Sequence, residues 1–355
     1  MEPIARRLQV SAAPAELQDW FEAQGFTDGL PVVPPTPDLV AAMVAGSGLP
    51  ADATVAPIAP KGALATVEKV AINAVMAGCR PQYMPVIVAA LKALAQPQFN
   101  LAGVQGTTHP CAPLVFVNGP VRGRIGLNCG SNVFGQGFRA NATIGRAIRL
   151  VLINLGQGLP GRTDMATFGT PCKFSWCAGE NEERSPWSPF HVDHGMSADD
   201  SAVLCHAGES PHNVQDHASA TAAELLTTIA STMATLGNNN VGMGGEMMLV
   251  LGPEHARILA DHGLSKDDVR HELHRRMRLR FASMGVALRN WYRNRRPAID
   301  VGAEVEEIPY LDDPSQILIL VAGGPGLHSM VVPSFGGMST STRERIPTPP
   351  EESSR

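Results

Sequence analysis

Residues able to do chemistry crowd into one stretch of the chain. Between Phe168 and His217 lie His191, His194, His206, His212 and His217, out of 11 histidines in the whole sequence, with Cys172, Cys177, Cys205 and the carboxylates of Glu180, Glu182 and Glu183. Carboxylates and imidazoles are the usual carriers of general acid–base catalysis, because their protonation equilibria lie near neutral pH or can be shifted there. Glu180, Glu182, His191 and His212 are therefore the catalytic candidates. The same side chains are ligands for divalent metals, so Glu180, His191 and His194 form a candidate metal set, and a divalent metal ion is the candidate cofactor. No sustained helical or strand period runs through the stretch, while Trp176, Trp187, Phe168, Phe174 and Phe190 supply the apolar side chains that disordered segments lack. It reads as a long functional loop.

Thiol chemistry is the alternative. Cys111 stands two positions after His109, and side chains two apart in an extended strand share a face, which pairs a thiol with an imidazole. Cys172 and Cys177 offer a second thiol pair, at a spacing wider than the C-x-x-C of zinc knuckles and dithiol redox motifs. Cys79, Cys129 and Cys205 read as inert packing.

Substrate-binding candidates come from elsewhere. Arg139-Ala140-Asn141-Ala142-Thr143-Ile144-Gly145-Arg146 opens a helix expected over Thr143–Leu155, with Asn141 or Thr143 as its cap. Free N–H groups at a helix start attract anions, and Arg139 and Arg146 suit a carboxylate or phosphate. Lys69 and Asn73, one helical turn apart, add a cation and an amide. Neither the Walker nor the dinucleotide spacing is met, so no nucleotide cofactor motif is present.

The elements that must position these groups follow from turn and period signals. Glu16–Gln24 reads as a short helix, Pro37–Ala45 as another stopped at Gly46, Val67–Ala77 as a third between a Thr66 N-cap and a Gly78 C-cap, and Pro85–Ala95 as a fourth. Pro113–Val117, Met247–Leu251 and Ile317–Val321 are apolar runs closed by Gly/Pro breaks, the pattern of strands buried on both faces of a helix-covered sheet. Helix-like stretches precede the first two (Ala89–Leu94, Glu224–Leu236) and basic ones follow (Thr143–Leu155, Ser265–Arg280). This predicts an α/β protein of two related halves. Residues 1–60 form an N-terminal extended segment with helices, 61–165 the first half, 166–218 the connecting active-site loop, 219–342 the second half, and 343–355 a disordered tail. Ligands in open α/β sheets lie beyond the carboxyl ends of strands, which adds Asn118, Glu254, His255, His328 and Ser329 as candidates.

Composition narrows the function. With 28 Lys plus Arg against 33 Asp plus Glu and a net charge of −5, the chain lacks the basic footprint of a nucleic-acid binder. No apolar run reaches membrane-span length, and the first residues, broken by Glu16, Asp19 and Glu22, do not make a secretory signal, so a cytoplasmic location is expected. Only 6 cysteines in 355 residues exclude a disulfide scaffold. The Met and Ala richness suits a packed homo-oligomer.

Five strings carry a resemblance: Gly25 to Thr36 (Gly-Phe-Thr-Asp-Gly-Leu-Pro-Val-Val-Pro-Pro-Thr), Val67 to Pro81, Arg139 to Asn154, Glu180-Asn181-Glu182-Glu183 and Leu251 to Ala256. Across most of its length the chain resembles bacterial proteins labelled UGSC-type (seleno)proteins. The label implies a selenocysteine or cysteine followed by Gly-Ser-Cys. Here Cys129-Gly130-Ser131-Asn132 lacks the final thiol. The resemblance implies an enzyme of small-molecule metabolism. Together these readings predict a hydrolase or lyase acting on a small polar, carboxylate-bearing molecule; the alternatives are a thiol-dependent transfer or redox enzyme and a non-catalytic small-molecule binder.

Overall fold

The computed structural model describes residues 5–11, 13–295 and 306–347. In chain order its strands are β1 (Thr54–Ile58), β2 (Ala63–Thr66), β3 (Ala112–Asn118), β4 (Cys177–Gly179), β5 (Ser201–Gly208), β6 (His212–Gln215), β7 (Met247–Leu251), β8 (Arg278–Arg280), β9 (Glu307–Pro309), β10 (Ile317–Val321), β11 (His328–Val332) and β12 (Thr342–Ile346). The three apolar runs are β3, β7 and β10, and every residue in them is buried. They do not share one sheet. The first sheet has the order β12-β5-β3-β4 and the second β10-β7-β11-β6.

The two sheets follow one plan. In each, a central strand (β3 or β7) has a parallel neighbour (β4 or β10) and an antiparallel one (β5 or β11) that carries an antiparallel edge strand. The edge strands are exchanged. β6 follows β5 in the chain but pairs with β11, and β12 follows β11 but pairs with β5. The two crossing connections are stitched together where Gly208 bridges Ser334, where Glu209 N–H donates to Pro333 O at 2.8 Å, and where Phe335 N–H donates to Ala207 O at 2.9 Å. A Cβ on Gly208 would come within 2.7 Å of Val332 Cγ1 and 2.8 Å of the Trp176 ring, so the crossing requires glycine.

Strand alternation sorts the core into layers. Ala112, Leu114 and Phe116 of β3 meet Met248 and Val250 of β7 and Leu318 and Leu320 of β10 between the sheets. Val115 and Val117 instead pack outward with the helices Val67–Ala77, Met84–Leu94 and Arg139–Asn154. Leu249 and Leu251 likewise pack with Ala222–Met233, Pro253–Asp261 and Lys266–Arg276. The result is helix, sheet, sheet, helix, an α/β fold whose central strands are buried on both faces.

Several local expectations hold. Thr66 caps Val67–Ala77 by accepting from Lys69 N–H at 3.4 Å, and Gly78 ends it in the left-handed region at φ 86°. Others change. Gly46 does not stop its helix, which runs Pro37–Ser47; a Cβ there would lie 2.4 Å from Pro81 O, so that glycine permits a close packing contact. The Arg139 helix begins at Arg139, with Asn141 and Thr143 inside it rather than capping it.

The stretch read as an active-site loop holds β4, β5 and β6, and β5 is fully buried beside β3. It shows no strand period because a strand buried on both faces does not alternate, and Ser201, His206 and Gly208 interrupt its apolar run. The tail is also ordered as far as β12. Thr342 Oγ1 donates to Ala93 O at 2.8 Å and Ile346 is 2% exposed, while residues 348–355 lie outside the described residues. A chain ending at Ser341 should therefore lose at least the roughly 2–5 kcal/mol that deleting one buried isoleucine side chain costs, and should self-associate through the uncovered β5 edge. Urea denaturation measures this, and an unchanged midpoint would contradict the assignment of β12.

Candidate active site

The carboxyl ends of β3 and β4 gather the acidic candidates. Glu180, the first residue after β4, is tied to β3 by its N–H donating to Val117 O at 3.1 Å, and its side chain is fully buried. The carboxylate accepts from Phe190 N–H at 2.8 Å, from Val321 N–H at 3.4 Å and from Asn118 Nδ2, with Lys266 Nζ 3.9 Å away. Burial pushes its pKa above the ordinary 4.5, and the Lys266 charge with the Phe190 and Asn118 hydrogen bonds opposes only part of that rise. Glu180 is thus harder to ionise than an exposed glutamate.

Glu182 faces outward from the same turn. Its Oε1 accepts from Gly119 N–H at 2.7 Å and from Asn118 Nδ2 at 3.1 Å, and its Oε2 pairs with Arg122 Nη2 at 2.7 Å. Gly119 makes this possible: at φ 83° it turns the chain out of β3, and a Cβ there would lie 2.0 Å from Asp200 O. Asn118 therefore bridges the two glutamates. Asn181 between them stitches the halves, donating its N–H to Val321 O at 2.7 Å and Nδ2 to Gly323 O at 3.0 Å.

Arg122, on the short helix Val121–Ile125, binds the cluster from below. Its Nε donates to Gly119 O at 3.0 Å and Nη1 to Glu180 O at 2.6 Å, and it forks onto Glu183 at 3.0 and 3.2 Å. Burial works against the guanidinium charge, yet the Glu183 hydrogen bond and Glu182 charge more than offset it and raise its pKa. The hydrogen bond from Arg122 holds exposed Glu183 below the ordinary carboxylate range. Cys129 Sγ lies 3.7 Å from Arg122 Nη1.

His191, on the short helix Phe190–Asp193, is 1% exposed, and neither of its buried ring nitrogens has a hydrogen-bond partner; Nδ1 lies 3.9 Å from Glu182 Oε1. Buried imidazole nitrogens are ordinarily satisfied, so two open ones beside a carboxylate mark a place where a ligand or water is to be bonded. Lys266 closes the back of the site, donating to Ser188 O at 2.7 Å and Asp193 Oδ2 at 2.8 Å.

The sequence candidates divide accordingly. Glu180, Glu182, His191 and Asn118 come together. His212 is exposed on β6, the edge of the second sheet opposite β10. The Glu180, His191 and His194 metal set does not assemble: His194 Nδ1 is engaged with Phe190 O at 2.7 Å and its ring lies on the Phe190 ring. Among the described residues no three His, Cys, Asp or Glu side chains form a metal-holding group. Cys111 is not an activated thiol. It is 1% exposed, burial pushes its pKa up to about 12, and His109 instead binds Glu209 at 2.7 Å. Burial likewise raises Cys172 and Cys177.

Of the arginines expected to hold an anion, Arg146 has its fork engaged within the chain, while exposed Arg139 gives one donor to it. Arg146 forks onto Asp28 at 2.9 and 2.9 Å and donates to Pro31 O at 2.8 Å, which clamps the Gly25 to Thr36 string to the helix; Arg139 Nε donates to Gly78 O at 2.9 Å. Asn141 exchanges hydrogen bonds with the Asn128 backbone at 2.8 and 2.9 Å, which fixes the loop that carries Cys129. Lys69 and Asn73 line a separate cavity of about 860 Å³ together with residues 5–11, Trp20 and Phe26. In the second half, Glu254 accepts from Gly326 N–H, and buried His255 joins Ser329 Oγ at 2.8 Å and Asp216 O at 3.2 Å, bonds that secure the turn after β7. Burial lowers the His255 pKa.

Sequence reading missed Arg122 and Lys266. Arg122 carried a faint signal, standing just after the Gly-Pro break that closes β3; Lys266 follows the Ser265 cap of its helix. Among the described residues no helix is long and apolar enough to cross a membrane. Searches against protein-family models and against curated proteins find no match to this chain.

The buried carboxyl gives a pH test. Because folding raises the Glu180 pKa above its unfolded value near 4.5, the stability it contributes is complete below that value and is lost as pH rises through the folded pKa. Glu180→Gln removes this dependence, so wild type should lose stability relative to the variant as pH rises toward neutrality. Parallel urea midpoints across that range would contradict the assignment.

Proposed function

We propose that the protein is a hydrolase or lyase that performs acid–base chemistry on a small polar, carboxylate-bearing molecule at the Glu182–His191 pair. The observation that carries this reading is the buried His191 imidazole, with both ring nitrogens open, beside a carboxylate whose other contacts are fixed by Gly119 N–H, Asn118 and Arg122. Glu182 is the glutamate oriented to exchange a proton with a bound molecule, and His191 is the partner that carries that proton, since a neutral imidazole both donates and accepts. Glu180 is enclosed by Asn118, Phe190 and Val321, so it acts as a positioning residue: its hydrogen bonds hold Asn118 beside Glu182 and hold the start of the His191 helix. The location at the carboxyl ends of a parallel strand pair agrees with where α/β sheets bind ligands. The resemblance to UGSC-type proteins supports an enzyme of small-molecule metabolism.

Thiol chemistry is the weaker reading, because burial raises the pKa of every one of the six cysteines. The test incubates the protein in deuterated water with a panel of small hydroxy, amino and amide carboxylic acids and follows turnover and C–H exchange by proton NMR. Removing a positioned acid or base typically costs about 10²–10⁴-fold, so Glu182→Gln and His191→Ala should each lose that much at unchanged melting temperature, while iodoacetamide treatment leaves activity intact. Undiminished activity in both variants, loss on alkylation, or binding without turnover across the panel would overturn the reading.

A further inference from the structure

A second cluster lies at the far side of the second sheet. His328 opens β11, and His217 follows β6, the strand paired with it. Their Nε2 atoms approach to 3.2 Å, with ring centroids 5.0 Å apart and planes at 80°, so the rings meet edge on, nitrogen to nitrogen. On the other side of His328, Nδ1–H donates to Asn213 Oδ1 at 3.0 Å. That bond fixes the tautomer, and in the neutral ring it leaves Nε2 as a bare lone pair aimed at His217.

This is the arrangement that a metal-binding histidine has: one ring nitrogen turned to an oxygen acceptor and the other presented to the ion. A tetrahedral zinc ion with Zn–N bonds of about 2.0–2.1 Å holds two imidazole nitrogens about 3.3–3.4 Å apart, close to the separation seen here. We propose that His217 and His328 form a binding site for a divalent transition-metal ion of the zinc class, with Asn213 as the residue that orients His328. Asp216 does not join them. Its carboxylate is consumed by Ser219 Oγ at 2.7 Å, Thr228 Oγ1 at 2.7 Å and the N–H groups of Ala218 and Ser219. Among the described residues no third His, Cys, Asp or Glu completes the set, so the remaining coordination positions go to water or to an oxygen of an incoming molecule. Both rings are exposed, which leaves those positions open to solvent. Imidazole donors with open positions favour zinc, nickel and copper over magnesium or calcium, which prefer oxygen ligands.

The site does not share a residue with the Glu182–His191 pair, so its failure and that of the acid–base reading are separable. The experiment titrates the metal-free full chain with Zn²⁺ against a chromophoric chelator, and with Co²⁺ by its visible spectrum. Wild type should bind one equivalent that His217→Ala and His328→Ala each weaken at least tenfold, with Asn213→Ala weakening it in the same direction. His212→Ala, exposed on the same strand, should bind as wild type does. The exposed substitutions should leave the metal-free melting temperature unchanged, and added Zn²⁺ should raise it in wild type but not in the His217 and His328 variants. No metal binding by wild type would mean that the pair is an N–H···N hydrogen bond between two imidazoles. That result, or equal affinity in the His217 and His328 variants, would overturn the proposal.

Discussion

The reciprocal exchange of edge strands is the constraint on which the molecule depends. Because β6 and β12 each leave the half that precedes them and complete the sheet of the other, neither sheet is finished by its own stretch of chain. The crossing at Gly208 and Ser334 pins the sheets at one end, with inner faces filled by Phe116, Leu204, Met248 and Leu320. At the opposite end the carboxyl termini of β4 and β10 are stitched by Asn181 to Val321 and Gly323. The Glu182–His191 pair sits at that stitched end, so its geometry is inherited from packing between the halves rather than from one loop.

Around Glu180 and Glu182, electrostatics and burial divide the work. Glu180 is buried without a close cation: Lys266 stands 3.9 Å away and spends its own hydrogen bonds on Ser188 and Asp193. Desolvation therefore outweighs attraction and raises the pKa of the carboxyl. Arg122 instead sits against two glutamates, and its five donors are committed to Gly119, Glu180, Glu182 and Glu183. Such a network fixes positions. The groups left with open valences are those of His191.

Much of this was legible in the sequence, for identifiable reasons. β3, β7 and β10 announce themselves because burial on both faces demands continuous apolar runs, and Thr66 with Gly78 brackets a helix by capping chemistry. β5 hides because Ser201 serves as acceptor for Val121 N–H, His206 engages Ser341, and Gly208 makes the crossing, each a tertiary need that breaks the apolar run. β12, Thr342-Arg343-Glu344-Arg345-Ile346, resembles a solvated tail because an edge strand carries charge outward. Residue type and proximity single out Glu180, Glu182 and His191 as candidates, and the fold brings them together. Arg146 shows what spacing leaves out, since it marks a cation but not that Asp28 and Pro31 O already take up its fork.

The central claim is that burial raises the pKa of Glu180 against the pull of Lys266 and of the Phe190 and Asn118 donors, while Glu182 beside it faces the His191 imidazole. Infrared difference spectroscopy of wild type against Glu180→Gln, recorded across a titration from acid to neutral pH, reads this directly. The account predicts a protonated carboxyl stretch, absent from the variant, that survives to higher pH than that of an exposed glutamate. Loss of that band at or below the pH at which an exposed glutamate ionises would contradict it.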